Sequence, residues 1–136
     1  MKEIEIYIDG ASKGNPGHSS VGVVVCQNGH TIKNIAAYIG QATNNVAEYT
    51  ALIYGLQEGL ILGAENIKVN TDSQLLYRQL NKIYKIKSPN ILGLYNQARH
   101  LMSAFKKVTL ENIPREDNRG ADILANKAIK EWLKNR

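Results

Sequence analysis

A strand that alternates between apolar and polar residues, runs into an acid and then reaches a glycine-punctuated turn opens this chain, where residues 4–17 read IEIYIDGASKGNPG. Ile4, Ile6 and Ile8 fall on one face at period two and Glu5, Tyr7 and Asp9 on the other, the pattern of a strand with both faces partly covered. This spacing ends the strand at Asp9. Gly10 lets the backbone pass close to whatever Asp9 holds, and Asn15-Pro16-Gly17 reads as a turn in which proline fixes φ and Gly17 supplies a positive φ. An ordinary hairpin with a solvated aspartate would look the same over these residues alone. Three further carboxylates in equivalent positions argue against it.

Residues 20–27 and 31–40 read as two more strands joined across Asn28-Gly29, the strongest short hairpin signal, so the chain begins as a three-stranded meander. From Thr43 the period changes. Val46, Ala47, Leu52, Ile53, Leu56, Leu60 and Ile61 recur at helical spacing, with Thr43 or Asn44 as N-cap and Gly63 as the stop. Glu48 lies in the second turn of that helix, and its neighbours along the same stripe are Ala51, Leu52, Gly55 and Leu56. An exposed helical glutamate would not head a small, apolar stripe.

Residues 67–71 alternate again, and Asp72 follows them ahead of a helical run containing Leu75, Leu76, Gln79 and Leu80. Asp72 thus repeats the arrangement of Asp9; the alternative is a helix cap, which Asp72 or Ser73 would supply equally well. Residues 81–89 carry Lys82, Lys85 and Lys87 with Tyr84 among them and end in Ser88-Pro89, which stops a helix. That stretch is either a phosphate-contacting edge or a solvated lysine surface. Residues 91–107 read as an amphipathic helix, 108–113 as a short strand and 119–133 as a closing helix. Its stripe runs Asp122, Ala125, Ile129, Trp132, so an acid again heads an apolar face, where the helix dipole alone would also favour it.

Three strands, a helix, a strand, one or two helices, a strand and a helix make a mixed sheet flanked by helices, an α/β layer arrangement in which carboxylates at strand ends converge on one edge. With 136 residues and no repeat or linker, residues 1–136 are expected to form a single domain. No segment approaches the apolar length of a membrane span, and the N-terminus lacks the features of a signal peptide, so a cytosolic chain is the expectation. Cys26 is the sole cysteine, lies in VGVVVC and reads as a small buried hydrophobe. Net charge is +5; if Asp9, Glu48, Asp72 and Asp122 share one pocket, 17 Lys and Arg remain against 8 other acids, a net +9 around an acidic hole. Such a field suits a polyanion whose backbone is drawn toward metal ions.

Asp9-Gly10-Ala11 with Gly14-Asn15-Pro16-Gly17, then Thr43-Asn44-Asn45-Val46-Ala47-Glu48, Thr71-Asp72-Ser73-Gln74, and Asn118 with Ala121-Asp122-Ile123-Leu124-Ala125 resemble, in order and spacing, the signature blocks of type 1 ribonuclease H. The resemblance implies the ribonuclease H-like fold, a five-stranded mixed sheet with its second strand antiparallel. It implies magnesium-dependent hydrolysis of the RNA strand of an RNA/DNA hybrid, with Asp9, Glu48, Asp72 and Asp122 as metal ligands. Gly10, Asn15, Asn44, Asn45 and Gln74 match positions that contact the hybrid in similar proteins, and Glu48 also matches a group that reaches a ribose 2′-hydroxyl. An amide donates and accepts, so it reads a hydroxyl without fixing a base.

The residues themselves support the metal expectation. Four like charges in one pocket cannot all ionise unaided, because each raises its neighbours' pKa. All-oxygen ligation, with no histidine or cysteine at ligand spacing, favours Mg²⁺ or Mn²⁺ over zinc, and two such ions can clamp an in-line displacement at phosphorus. Because its strand is central in the fold that the resemblance implies, Asp9 is assigned as the bridging ligand, with Glu48 and Asp72 completing one site and Asp122 the other.

Two departures from the family pattern stand out. The loop at residues 113–120, IPREDNRG, has no histidine where many members carry one, although some similar relatives also lack it; Arg115, Glu116 and Asp117 read first as a charged solvated loop, the alternative being that one of them substitutes for the histidine. There is also no basic, tryptophan-containing insertion, so hybrid affinity must come from Lys82, Lys85, Lys87, Arg99 and similar residues, and should be weak and salt-sensitive. Trp132, the only tryptophan, is expected to pack in the core. A non-catalytic hybrid- or duplex-binding module is the alternative, but all four acids are present. A sugar-kinase or actin-like nucleotide binder shares a similar core fold but needs two such domains. No oligomerisation signal is present, so a monomer is expected.

Overall fold

The structure is a computed structural model that describes residues 2–82 and 85–136; Tyr84, read above as part of the lysine-rich edge, lies outside the described residues. Strands β1 (Glu3–Gly14), β2 (Gly17–Gln27) and β3 (His30–Ala42) form the meander. Helix α1 (Asn44–Ile61) leads to β4 (Asn66–Thr71), α2 (Gln74–Leu80), α3 (Pro89–Met102) and β5 (Lys107–Asn112), and after a 3₁₀ turn at Arg115–Asp117 the chain closes with α4 (Arg119–Lys134). The sheet order is β3-β2-β1-β4-β5, with β2 antiparallel to β1 and β3, and with β1, β4 and β5 parallel. This is the five-stranded mixed sheet with a reversed second strand that the sequence led us to expect.

Local chemistry fixes the element boundaries. The β2–β3 turn places Asn28 at φ 53° and Gly29 at φ 78°, matching a primed hairpin turn. Thr43, rather than Asn44, caps α1: its side chain accepts from the Val46 amide, and Gly63 follows the helix's last turn. Ser73, rather than Asp72, caps α2, with its hydroxyl accepting from the Leu76 amide at 3.2 Å. That leaves the Asp72 carboxylate free of capping duty.

The main core lies between one face of the sheet and α1 with α3. Ile4, Ile6 and Ile8 meet Val21, Val23, Val25, Ile67 and Val69 beneath Tyr49, Leu52 and Leu56, all essentially inaccessible to solvent. Helix α2 is pinned to α1 by the Tyr49 hydroxyl, which donates to Gln79 Oε1 at 2.9 Å. Helix α4 covers the opposite face, with Ala121, Ala125 and Ile129 buried against β2 and its neighbours. No helix among the described residues is long and apolar enough to cross a membrane.

Five expectations need correction. Strand β1 does not stop at Asp9 but continues to Gly14, because its pairing with β2 runs on to Gly14↔Gly17 after its pairing with β4 has ended at Ile8↔Thr71. Asp9 is therefore the first residue past a split between β1 and β4. At the turn, the positive φ belongs to Gly14 (95°), not Gly17, and the Asn15–Pro16 peptide is cis. Gly17 is needed for space instead, since a Cβ there would lie 1.8 Å from the Lys13 carbonyl oxygen. Helix α3 ends at Met102, five residues short of expectation, because the chain must turn Phe105 into the core and bring Lys107 alongside Asn66 to begin β5. Cys26 is half-buried near the Thr31 hydroxyl rather than a core residue, as it sits at the hairpin end of β2.

Trp132 is also outside the main core. It stacks on Tyr38 of β3, with ring centroids 4.1 Å apart and planes 8° from parallel, while His18 lies 4.9 Å away and the Arg136 guanidinium 5.2 Å over the indole. By that point α4 has run out over the edge strand, where one face of the indole is all the sheet can cover.

Candidate active site

Four elements converge beyond the split between β1 and β4. Asp9 comes from β1, Glu48 from the second turn of α1, Asp72 from the residue after β4 and Asp122 from the first turn of α4. Carboxylate oxygens of Asp9, Glu48 and Asp72 lie within 4.8 Å of one another. Asp122 is not part of that tightest group, but it faces the same cleft and its charge helps to raise the Asp9 pKa. All four line one cleft of about 480 Å³, together with Gly10, Ala11, Ser12, Asn44, Arg115 and Asn126.

Each acid is held by a specific contact. Gly10 brings α1 against β1 so closely that a Cβ there would lie 2.3 Å from the Ala47 carbonyl carbon and 2.5 Å from the Glu48 nitrogen; only glycine permits that approach. The Gly10 amide then donates to Glu48 Oε1 at 2.5 Å. The Asn118 side-chain amide donates to Asp72 Oδ2 at 3.4 Å and to the Ile8 carbonyl at 2.9 Å. Asn126, one turn after Asp122 on α4, donates from Nδ2 to Asp122 Oδ1 at 3.1 Å, and the Arg115 guanidinium lies 3.9 Å from the same oxygen.

Crowding makes the site electrostatically unfavourable as it stands. Asp9 is only 7% exposed, and burial, followed by the charges of Glu48 and Asp72, pushes its pKa up to about 9. Burial also drives Glu48 upward, to about 8, against the stabilising Gly10 amide. Asp72 is raised by burial as well, less so because Asn118 and Arg115 favour its charged form. A set of carboxylates that cannot all ionise, with oxygen donors only and a shared centre, fits hard divalent cations.

The remaining candidates from the sequence occupy different places. Gly10 and Asn44 line the cleft. Asn15 Oδ1 accepts from the Asn44 amide at 3.0 Å, tying the β1–β2 turn to the head of α1. Asn45 is half-buried with an Oδ1 that has no partner, and Gln74 is exposed at the start of α2, two residues after Asp72. Lys82, Lys85, Lys87 and Arg99 are exposed. The contacts of Asn126 and Asn118 with the acids were not anticipated. The i, i+4 relation of Asn126 to Asp122 was the available signal for the first, whereas nothing local connects Asn118 to Ile8.

A family model described as reverse transcriptase-like matches residues 7–128. Among curated relatives, the bifunctional protein Rv2228c of Mycobacterium tuberculosis is 43% identical over 129 residues, which make up 93% of this chain and 35% of that protein. Ribonuclease HI of Halobacterium salinarum is 39% identical over 127 residues, covering 93% of this chain and 64% of the relative. The chain therefore spans about a third of the first and under two thirds of the second. In three dimensions it superposes on the N-terminal RNase H domain of the mycobacterial protein with a TM-score of 0.93 at 40% identity, over 98% of each chain. Its overlay on the H. salinarum enzyme gives 0.93 at 37% identity, over 95% of this chain and 98% of that one. LC11-RNase H1, isolated from compost and solved in complex with an RNA/DNA hybrid, gives 0.90 at 38% identity, over 96% and 99%.

Proposed function

Because this chain belongs to the ribonuclease H family, we propose that it is a ribonuclease H, cutting the RNA strand of RNA/DNA hybrids internally with little regard to base sequence and leaving 5′-phosphate and 3′-hydroxyl ends. The observation that carries this reading is the meeting of three carboxylates, from three separate elements, within 4.8 Å, with a fourth lining the same cleft. A pocket built to bind a neutral ligand would not concentrate acids whose charges oppose one another.

Asp9, Glu48 and Asp72 would hold one divalent cation, and Asp9 with Asp122 a second, Mg²⁺ being the expected ion and Mn²⁺ a substitute. When bound, the ions supply the positive charge that an in-line displacement at phosphorus develops a need for. The protein's own part is orientation. The Gly10 amide fixes one Glu48 oxygen, so the other is directed by the same contact. Gly10 and Asn44 in the cleft wall, with Asn15, Asn45 and Gln74, would engage the sugar-phosphate backbone, where a 2′-hydroxyl distinguishes RNA from DNA. The hybrid-bound structure of a 38%-identical relative supports this class of substrate. The surrounding basic excess favours the same polyanion, and the active unit is taken to be a monomer.

The test is cleavage of an end-labelled RNA strand in a hybrid with Mg²⁺, Mn²⁺ or EDTA, comparing the parent with Asp9→Asn. Internal cuts that leave 5′-phosphates and vanish with EDTA and with the substitution are expected. Binding of the hybrid without cleavage in either metal would refute the enzymatic reading and leave a hybrid-binding module.

A further inference from the structure

Asn118 is 1% exposed and sits directly before α4, yet its side chain makes no capping bond to that helix. Its backbone, at φ −116° and ψ 27°, departs from the extended conformation of a capping residue, and the side chain turns inward. There its amide nitrogen spans the split between β1 and β4, donating to the Ile8 carbonyl at 2.9 Å and to Asp72 Oδ2 at 3.4 Å. Ile8 is the last β1 residue paired with β4 and directly precedes Asp9. The Asn118 carbonyl in turn accepts from the Asp122 amide at 3.2 Å. One residue thus touches the strand that carries Asp9, the carboxylate of Asp72 and the backbone of Asp122.

This arrangement has a cost that a purely structural residue would not need to bear. Asn118 Oδ1 is buried with no partner, and an unsatisfied buried acceptor costs about 1–3 kcal/mol. Both amide hydrogens are committed to acceptors across the split, so turning the amide over would leave Ile8 and Asp72 facing an oxygen. The group is retained for its two donors.

We propose that Asn118 is a positioning residue for the metal-binding acids, its side-chain amide bracing Asp72 against the β1 strand that carries Asp9 while its backbone anchors the start of α4 and hence Asp122. The proposal rests on the metal-dependent reading of the site given above. Partners that orient metal ligands typically change metal affinity or activity by about 10–100-fold when removed.

Asn118→Ala and Asn118→Ser would be titrated with Mn²⁺ alone by calorimetry, below the melting temperature found by circular dichroism, and then assayed on hybrid at saturating metal. Alanine offers no donor and serine one, so neither can brace both acceptors, and serine keeps the site polar should alanine not fold. Both variants should bind Mn²⁺ about 10-fold or more weakly and lose a comparable factor in kcat, with KM for hybrid within about threefold of the parent. A folded variant that binds Mn²⁺ and turns over like the parent overturns the proposal, whatever its melting temperature. Because the calorimetric comparison needs no hybrid, it remains decisive even if the parent proves inactive, an outcome that would sink the ribonuclease reading instead.

Discussion

Replacing Asp9 with asparagine should stabilise the metal-free protein at neutral pH and above while abolishing activity. Burial and the charges of Glu48 and Asp72 lift the folded-state pKa of Asp9 from its ordinary 3.8 to about 9. Between those two values the folded state binds a proton that the unfolded state has released. This contribution to stability is therefore complete below pH ~4 and is lost as pH rises toward ~9. Each pH unit in that window costs about 1.4 kcal/mol, so at pH 7 the full penalty would be ~4 kcal/mol. Water entering the open cleft and rearrangement of the acids reduce it, and ~2 kcal/mol is the expected gain from an isosteric side chain that cannot titrate. For a domain of this size that corresponds to a rise of roughly 6–10 °C in melting temperature.

The assay is thermal unfolding of parent and variant in EDTA at pH 4, 7 and 8.5. The variant's advantage should be near zero at pH 4 and grow with pH. Saturating Mg²⁺ should shrink or reverse it, because ligand binding stabilises only the protein that still holds the ion. A variant that melts at or below the parent in EDTA at pH 8.5, or with an equal advantage at pH 4, would refute the claim that acid crowding strains the folded protein.

Gly10→Ala should cost about 1–3 kcal/mol in a urea titration, because the new methyl must displace the α1 backbone at Ala47 and Glu48; hybrid cleavage should fall at least tenfold as Glu48 loses its amide, and parent-like cleavage would contradict that role. Arg115→Ala removes a guanidinium 3.9 Å from Asp122, which competes weakly with a cation, so Mn²⁺ affinity measured by calorimetry should rise about two- to fivefold, the range for an exposed ion pair; weaker binding would show that Arg115 helps the metal instead. Trp132→Ala should destabilise the chain by about 1–3 kcal/mol through loss of the Tyr38 stack, while kcat on hybrid stays within twofold, since the indole lies away from the cleft. The logarithm of hybrid affinity should fall linearly with the logarithm of salt concentration, and a flat dependence would exclude phosphate contacts as its main source.

The elements were legible because their signals are local. Period two in residues 4–9, the Asn28-Gly29 pair and the helical spacing from Val46 onward depend only on backbone geometry over a few residues. The same locality exposed the acids: Glu48 heading a small apolar stripe, and Asp72 following a strand. Boundaries were less legible where a distant partner decides them. Strand β1 continues past Asp9 because β2 goes on pairing with it, and α3 ends early because β5 must start beside Asn66. Trp132 shares the stripe of Ile129, yet the sheet's edge leaves it half-covered, and edge position is a property of strand order.

Residue types and spacing were enough to single out the four acids and the kind of ion they would suit, since four carboxylates without histidine or cysteine at ligand spacing favour hard cations. How these groups act on one another is set by the packing of distant segments. A crossover through α1 sets β4 beside β1, and that pairing brings Asp72 to Asp9 and opens the split that Asn118 spans. The raised pKa of Asp9 and Glu48 follows from desolvation and from the charges of neighbouring carboxylates, which depend on separation and burial rather than on position in the chain. Sequence periodicity records a residue's immediate backbone geometry, whereas charge coupling is set by distances that exist only once the sheet has formed.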